Sequence, residues 1–268
     1  MLDEDLPAHE AEKVVAAVKD GLPFASGPHS MPRVRRALAG YRKAKPARSR
    51  APLCAELVAG ICALLLRDGH RDLALQVFTC FCTYLRPGEA RRLRVRELLA
   101  PMRRSGPLSS WSVVVAPQEE SAFAPQRLSK TGTMDDTVLL DNYPWLGPTL
   151  AAHAKGRAVD APLFTTSPGE AVKLFVAAAA ALGLHDVCMY QLRHGGASED
   201  MVGGSRSATE ILARGRWRAL SSLRRYAKPA TLRRLLASVT PAVRAYCTHE
   251  LAEIKLSLSG RRLPPPPP

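Results

Sequence analysis

The stretch YQLRHGGASEDMVGGSRSATEILARGRWRALSSLRRYAK (190–228) is the most informative part of the chain. Apolar residues recur there at helical spacing over 190–202, 207–214 and 219–227, and a further helical pattern follows over 230–256. Arg193 sits in an L-R-H-G run beside Gly195–Gly196, and Trp217 falls nine residues before Tyr226. Residues 206–234 hold Arg206, Arg214, Arg216, Arg218, Arg224, Arg225, Lys228, Arg233 and Arg234 against one acid, Glu210. A charge run is usually a solvated face, but this density with so little acid predicts a surface that tracks phosphates.

Working outward, two more segments stand out, TYLRPGE (83–89) and RLSKTGT (127–133). Pro52 opens a helix with Leu53, Leu57, Ile61, Leu64 and Leu65 at helical spacing, ended by Gly69. A second helix carries Leu73, Val77, Phe78 and Phe81 on one side and runs to Pro87, where a third, basic helix with Arg91, Arg92, Arg94 and Arg96 begins. WSVVVAP (111–117) is β-branched and reads as a strand; 127–141 reads as strand, turn and strand. A Pro/Gly-rich loop follows, then a helix over 169–182. The fold class is mostly α with a small antiparallel β-sheet (α+β).

The ends differ from this body. Residues 1–20 hold six acids and two lysines; residues 21–55 have no acid and carry eight Arg and Lys with five prolines. That half reads as a basic arm or linker with a short helix around 31–43. RRLPPPPP at the C-terminus reads as an unpacked polyproline tail. The domains are therefore 1–50, an acidic N-terminus and basic arm; 51–256, the folded body; and 257–268, a disordered tail. Over all 268 residues the formal charge is +14. Such a balance seeks a polyanion, nucleic acid or an anionic membrane surface. No apolar run reaches the roughly 20 residues of a membrane helix. The acidic start is no secretory or transit signal, so an intracellular place is expected, the nucleus in a eukaryote or the cytoplasm in a bacterium. The six cysteines show no zinc spacing and read as reduced core filler, with no metal or cofactor implied.

Taken together and in order, TYLRPGE, RLSKTGT, YQLRHGGAS and RGRWRALSSLRRYAK resemble the boxes of the tyrosine recombinase (phage integrase) family, over roughly residues 52–250. Arg86 with Glu89 resembles the first box, whose arginine contacts the scissile phosphate. Lys130 resembles the β-hairpin lysine and Arg193 the second phosphate-binding arginine. Trp217 resembles the His or Trp that precedes the nucleophile by nine residues, and Tyr226 that nucleophile. Three residues before its second arginine the family most often carries His; this chain carries Tyr190, a type some members have there. Glu89 and His194 would support these groups without touching the phosphate.

The resemblance implies a DNA strand transferase that cleaves and rejoins double-stranded DNA through a 3′-phosphotyrosyl link, without a divalent metal. It also implies DNA recombination or integration in a mobile element, as a tetramer on paired sites with the C-terminal helix docking on a neighbour. The chemistry suits the residue types. Arginine forks match phosphate oxygens and keep their charge, and two of them stabilise a pentavalent transition state electrostatically. A tyrosine stores the bond energy covalently, and Lys130 is placed to protonate the leaving 5′-oxygen. Arg91, Arg94, Arg214, Arg216, Arg218 and Arg225 are expected on DNA phosphates. Only about 50 residues precede the body, where the family carries a separate helical domain. Each residue alone has a plainer reading: surface arginines, a solvated lysine, core aromatics. Two further readings stay open. One is an inactive DNA-binding module derived from a recombinase; the other is a basic helical scaffold for RNA or an acidic protein.

Overall fold

A computed structural model describes residues 8–22, 31–44, 51–103, 106–116, 136–217, 219, 223 and 229–268. The chain divides into two compact units, Met1–Arg50 and Ala51–Pro268. The first holds α1 (Ala8–Gly21) and α2 (Pro32–Ala44). The sequence anticipates α2 but reads the rest as an arm; α1 instead pairs with α2. Ala11, Val14 and Val15 face Val34, Ala37, Leu38 and Tyr41 across an apolar groove. Arg42 Nε donates to Glu12 Oε1 at 2.6 Å. The acidic charges that suggest a solvated tail lie on a helix that still has an apolar stripe.

The second unit is built around α3 (Ala55–Arg67). Every residue from Leu57 to Leu66 is buried, so this helix is apolar all round and takes the centre. α4 (Arg71–Thr83) lies against it, buried from Leu73 to Thr83. Tyr84 ends α4 in the left-handed region, φ 52°. The chain then turns through Arg86 into the short α5 (Pro87–Arg92). A long basic helix is expected here, but Leu93 leaves helical geometry and the chain passes through a 3₁₀ turn, Val95–Glu97, into a strand. That strand, β1 (Leu98–Leu99), pairs antiparallel with β2 (Ser112–Val115), which pairs with β3 (Asp136–Leu139). Val113 opposes Leu98 on one side and Val138 on the other, and Val113, Val115 and Val138 bury one face. The expected strand and turn over 127–135 lie outside the described residues.

α6 (Leu146–Ala154) replaces the loop expected between sheet and helix. Pro148 sits in its first turn, where no N–H is needed, and Gly147 lets the Trp111 side chain come close against the backbone. α7 (Pro168–Ala181) starts at Ser167, whose hydroxyl accepts from Glu170 N–H. α8 (Tyr190–Gly203) and α9 (Ala208–Gly215) follow, the latter opened by a Ser207–Glu210 capping box. The last pattern is two helices, α10 (Pro229–Ser238) and α11 (Pro241–Leu258), because Thr240 caps a new helix with Pro241 as its first residue.

α11 packs on α3 of the same chain, with Cys247 Sγ against Gly60 and Val243, Tyr246 and Ile254 buried. This part of its apolar face is thus packed within the chain. The tail touches the body at a few points. Pro264 is buried, Tyr246 Oη donates to the Pro265 carbonyl at 3.2 Å, and Arg262 forks onto the fully enclosed Glu250 at 2.6 and 2.7 Å. Among the described residues no helix is long and apolar enough to cross a membrane.

Candidate functional site

Local sequence fixes Arg86. A residue before proline is held extended, and Arg86 has φ −67° and ψ 145° as the N-cap of α5. Glu89, at the third helical position, reaches back and accepts the Arg86 N–H at 2.8 Å, as in a capping box. The same carboxylate takes Arg86 Nη1 on its other oxygen. Backbone and side chain of Arg86 are thus held by one acid.

Arg193 arrives from α8. A Cβ on Gly195 would fall on the Leu53 carbonyl, and one on Gly196 on the Phe81 carbonyl and within 2.9 Å of the Tyr84 ring. The glycines therefore let α8 lie directly on the backbone before α3 and at the end of α4. That approach sinks the Arg193 side chain to 0% exposure. Its Nη1 donates to the Tyr84 carbonyl at 2.5 Å, its Nη2 donates to the Gly215 carbonyl, and its Nε has no partner. Glu89 Oε2 stands 3.9 Å from Nη1.

The four residues R-G-R-W (214–217) close the site from α9. Arg214 donates to the Cys82 carbonyl at 3.1 and 2.7 Å and to Asp141 at 3.1 Å. Gly215 supplies the carbonyl for Arg193. Arg216 sits in the left-handed region (φ 54°) and donates from Nη2 to Glu89 Oε2 at 2.5 Å. Trp217 lays its ring 4.7 Å from the Arg193 guanidinium carbon and stacks on Tyr84 at 6.2 Å. Tyr190, one turn before Arg193, is 45% exposed and meets the His194 ring edge-on at 4.9 Å.

Three guanidiniums and one carboxylate make a cluster of formal charge +2 among these four groups. The titration tendencies follow from it. Burial pushes the Glu89 carboxyl up, but Arg216, the Arg86 N–H, Arg86 and Arg193 outweigh it and hold the acid below its usual range. Burial, then repulsion from Arg216 and Arg86, brings Arg193 down to about 10. Burial also opposes the charge on Arg86, yet Glu89 and Tyr190 more than offset it. Burial and then Glu89 raise Asp136, on β3, whose Oδ2 lies 3.8 Å from Arg216 Nε.

Arg86, Glu89, Tyr190, Arg193, His194 and Trp217 thus share one neighbourhood. Lys130, Tyr226, Arg218 and Arg225 lie outside the described residues. Arg91 is exposed on α5, and Arg94 donates to the Asp160 carbonyl at 2.5 Å. Arg214 and Arg216 do not form the expected phosphate-tracking face, because both turn inward onto protein acceptors. Reading by charge density missed a second network behind the site. There Asp200 accepts from Tyr84 Oη, from Ser205 at 2.7 Å and from Arg206 at 3.0 Å, and Arg206 also reaches Asp141 at 2.6 Å. Acids 59 residues apart in the chain give no local signal of such a meeting.

No family model matches the chain, and no curated protein does. Among solved structures, XerA recombinase is similar at 13% identity, covering 87% of this chain and 82% of that one, with a TM-score of 0.47.

Proposed function

We propose that this protein is a DNA strand transferase of tyrosine recombinase type. One observation carries the reading: Arg86 and Arg193, which the motifs assign to one scissile phosphate, gather with Arg216 around Glu89 in a cluster of net positive charge, and Trp217, from the same set of motifs, lies against Arg193. A phosphodiester brings the negative charge that three guanidiniums and one carboxylate lack. In the reaction the Tyr226 oxygen attacks phosphorus in line and loses its proton to water. A tyrosyl–phosphorus bond forms, the bond to the 5′-oxygen breaks, and Lys130 gives that oxygen a proton. The reverse steps, with a different 5′-hydroxyl, rejoin the strand. Arg86 and Tyr190 form the solvent-facing rim that meets the phosphate, while Arg193 supplies positive potential from beneath.

A second reading has an observation in its favour. Both Nη groups of Arg193 are engaged by backbone carbonyls and the side chain is fully enclosed. That suits a DNA-binding module that keeps the fold and makes no covalent bond. Nicked or suicide DNA substrates separate the two: a protein–DNA adduct that survives denaturation and vanishes in Tyr226→Phe supports strand transfer. DNA retention with no adduct supports the module.

A further inference from the structure

Arg216 occupies a place its backbone does not favour. It ends α9 in a Schellman motif, with its N–H on the Ala213 carbonyl at 2.9 Å and the Trp217 N–H on the Leu212 carbonyl at 3.0 Å. The residue between those bonds is left-handed, φ 54° and ψ 42°, where glycine is preferred. Nor does the side chain escape to water. It is almost wholly enclosed, its Nε makes no hydrogen bond and stands 3.8 Å from Asp136 Oδ2, and it lies beside two other guanidiniums. Two carboxylates compensate its charge, but a left-handed arginine beside two other guanidiniums is a costly way to end a helix.

Its contact offers a better account. Glu89 has two oxygens. Oε1 takes Arg86 Nη1; Oε2 takes the Arg86 N–H and Arg216 Nη2. Arg193 Nη1 is left at 3.9 Å from Oε2, beyond a hydrogen bond. Were Arg216 absent, Oε2 would be open to Arg193, and the existing ion pair could close to a hydrogen bond. The geometry points to Arg216 as a positioning residue that takes the Glu89 hydrogen bond, holds Arg193 at ion-pair distance without one, and so leaves more of the Arg193 charge for a phosphoryl oxyanion. This inference rests on the phosphate-binding reading above. It acts through Glu89, which also faces Arg86 from α5, Arg193 from α8, Asp136 from β3 and Cys80 from α4. Arg216 is the strongest of the groups that favour the Glu89 carboxylate, so its loss raises that acid toward its ordinary range.

The test uses the full chain as wild type, Arg216→Gly and Arg216→Lys, with three readouts. These are the melting temperature, its rise with sodium phosphate against sodium chloride of equal ionic strength, and adduct formation on nicked DNA across pH. Relief of the left-handed residue and loss of one of three like charges offset the broken Glu89 pair, so Arg216→Gly should melt close to the wild-type temperature. It should nevertheless lose the phosphate-induced rise, form adduct about 10²-fold more slowly, and show an acid limb moved toward neutral pH. Arg216→Lys should restore part of both losses. The inference is overturned if Arg216→Gly responds to phosphate as the wild type does, or if its losses track a fall in melting temperature. It is overturned also if the wild type shows no phosphate response. If the wild type responds to phosphate, Arg216→Gly does not, and neither forms adduct, the strand-transfer reading fails while this inference stands.

Discussion

Replacing Glu89 by glutamine probes the centre of the cluster with almost no change of shape. The carboxylate receives Arg86 Nη1, the Arg86 N–H at 2.8 Å and Arg216 Nη2 at 2.5 Å, and its Oε2 stands 3.9 Å from Arg193. The amide turns one of those oxygens into a donor facing donors and removes the charge that three guanidiniums share. Breaking a buried ion pair costs about 3–5 kcal/mol. Arg86 keeps partial access to water, which returns some of that, so the expected loss is about 3 kcal/mol. For a unit of this size each kcal/mol shifts the melting temperature by about 2–4 °C, giving a fall of about 10 °C. The sign with pH is fixed by the depressed carboxyl. A group held below its unfolded value, about 4.3, stabilises the fold above that pH and loses its contribution as pH falls through the folded value. Urea denaturation should thus show the full gap between wild type and Glu89→Gln at pH 7 and a shrinking gap on acidification below about pH 4. A variant within about 0.5 kcal/mol of wild type at pH 7, or a gap untouched by acid, refutes the shared-carboxylate account.

Gly196→Ala forces α8 off the Phe81 carbonyl and the Tyr84 ring. Overpacking of about 1–3 kcal/mol outweighs about 1 kcal/mol of gained helix propensity, and a urea midpoint equal to wild type would contradict the close approach. Arg262→Ala leaves Glu250 enclosed without its fork and should lose about 3 kcal/mol; converting both residues to apolar ones should recover most of it, and calorimetry checks both. DNA affinity should fall steeply and linearly with the logarithm of salt concentration, as phosphate contacts release counterions. A binding constant flat across salt, measured by fluorescence anisotropy, contradicts an electrostatic interface.

The helical body and its sheet were legible because their signals are local. Leu57 to Leu66 have no polar face, Val113 and Val115 alternate, and Pro87 and Pro241 mark helix starts. The meeting of Arg86, Arg193 and Trp217 was legible only through the joint order of motifs, since each residue alone resembles an ordinary surface or core residue. What failed to show were effects of long-range pairing. The arginine run over 206–234 looks like one basic surface, but Arg214 and Arg216 find the Cys82 carbonyl and Glu89 more than 120 residues away and turn inward. The proline tail looks loose because composition does not reveal that Arg262 meets Glu250 or that Tyr246 reaches the Pro265 carbonyl. α6 was hidden by Gly147 and Pro148, which read as loop residues until Trp111 and the first-turn position explain them.

The most direct measurement is mass spectrometry of the protein after incubation with a suicide DNA substrate and exhaustive nuclease and protease digestion. The account predicts one peptide carrying a nucleotide through phosphate on Tyr226, absent from Arg193→Ala and Tyr226→Phe. A nucleotide on any other residue, or an unmodified Tyr226 peptide under conditions where the DNA is bound, contradicts it.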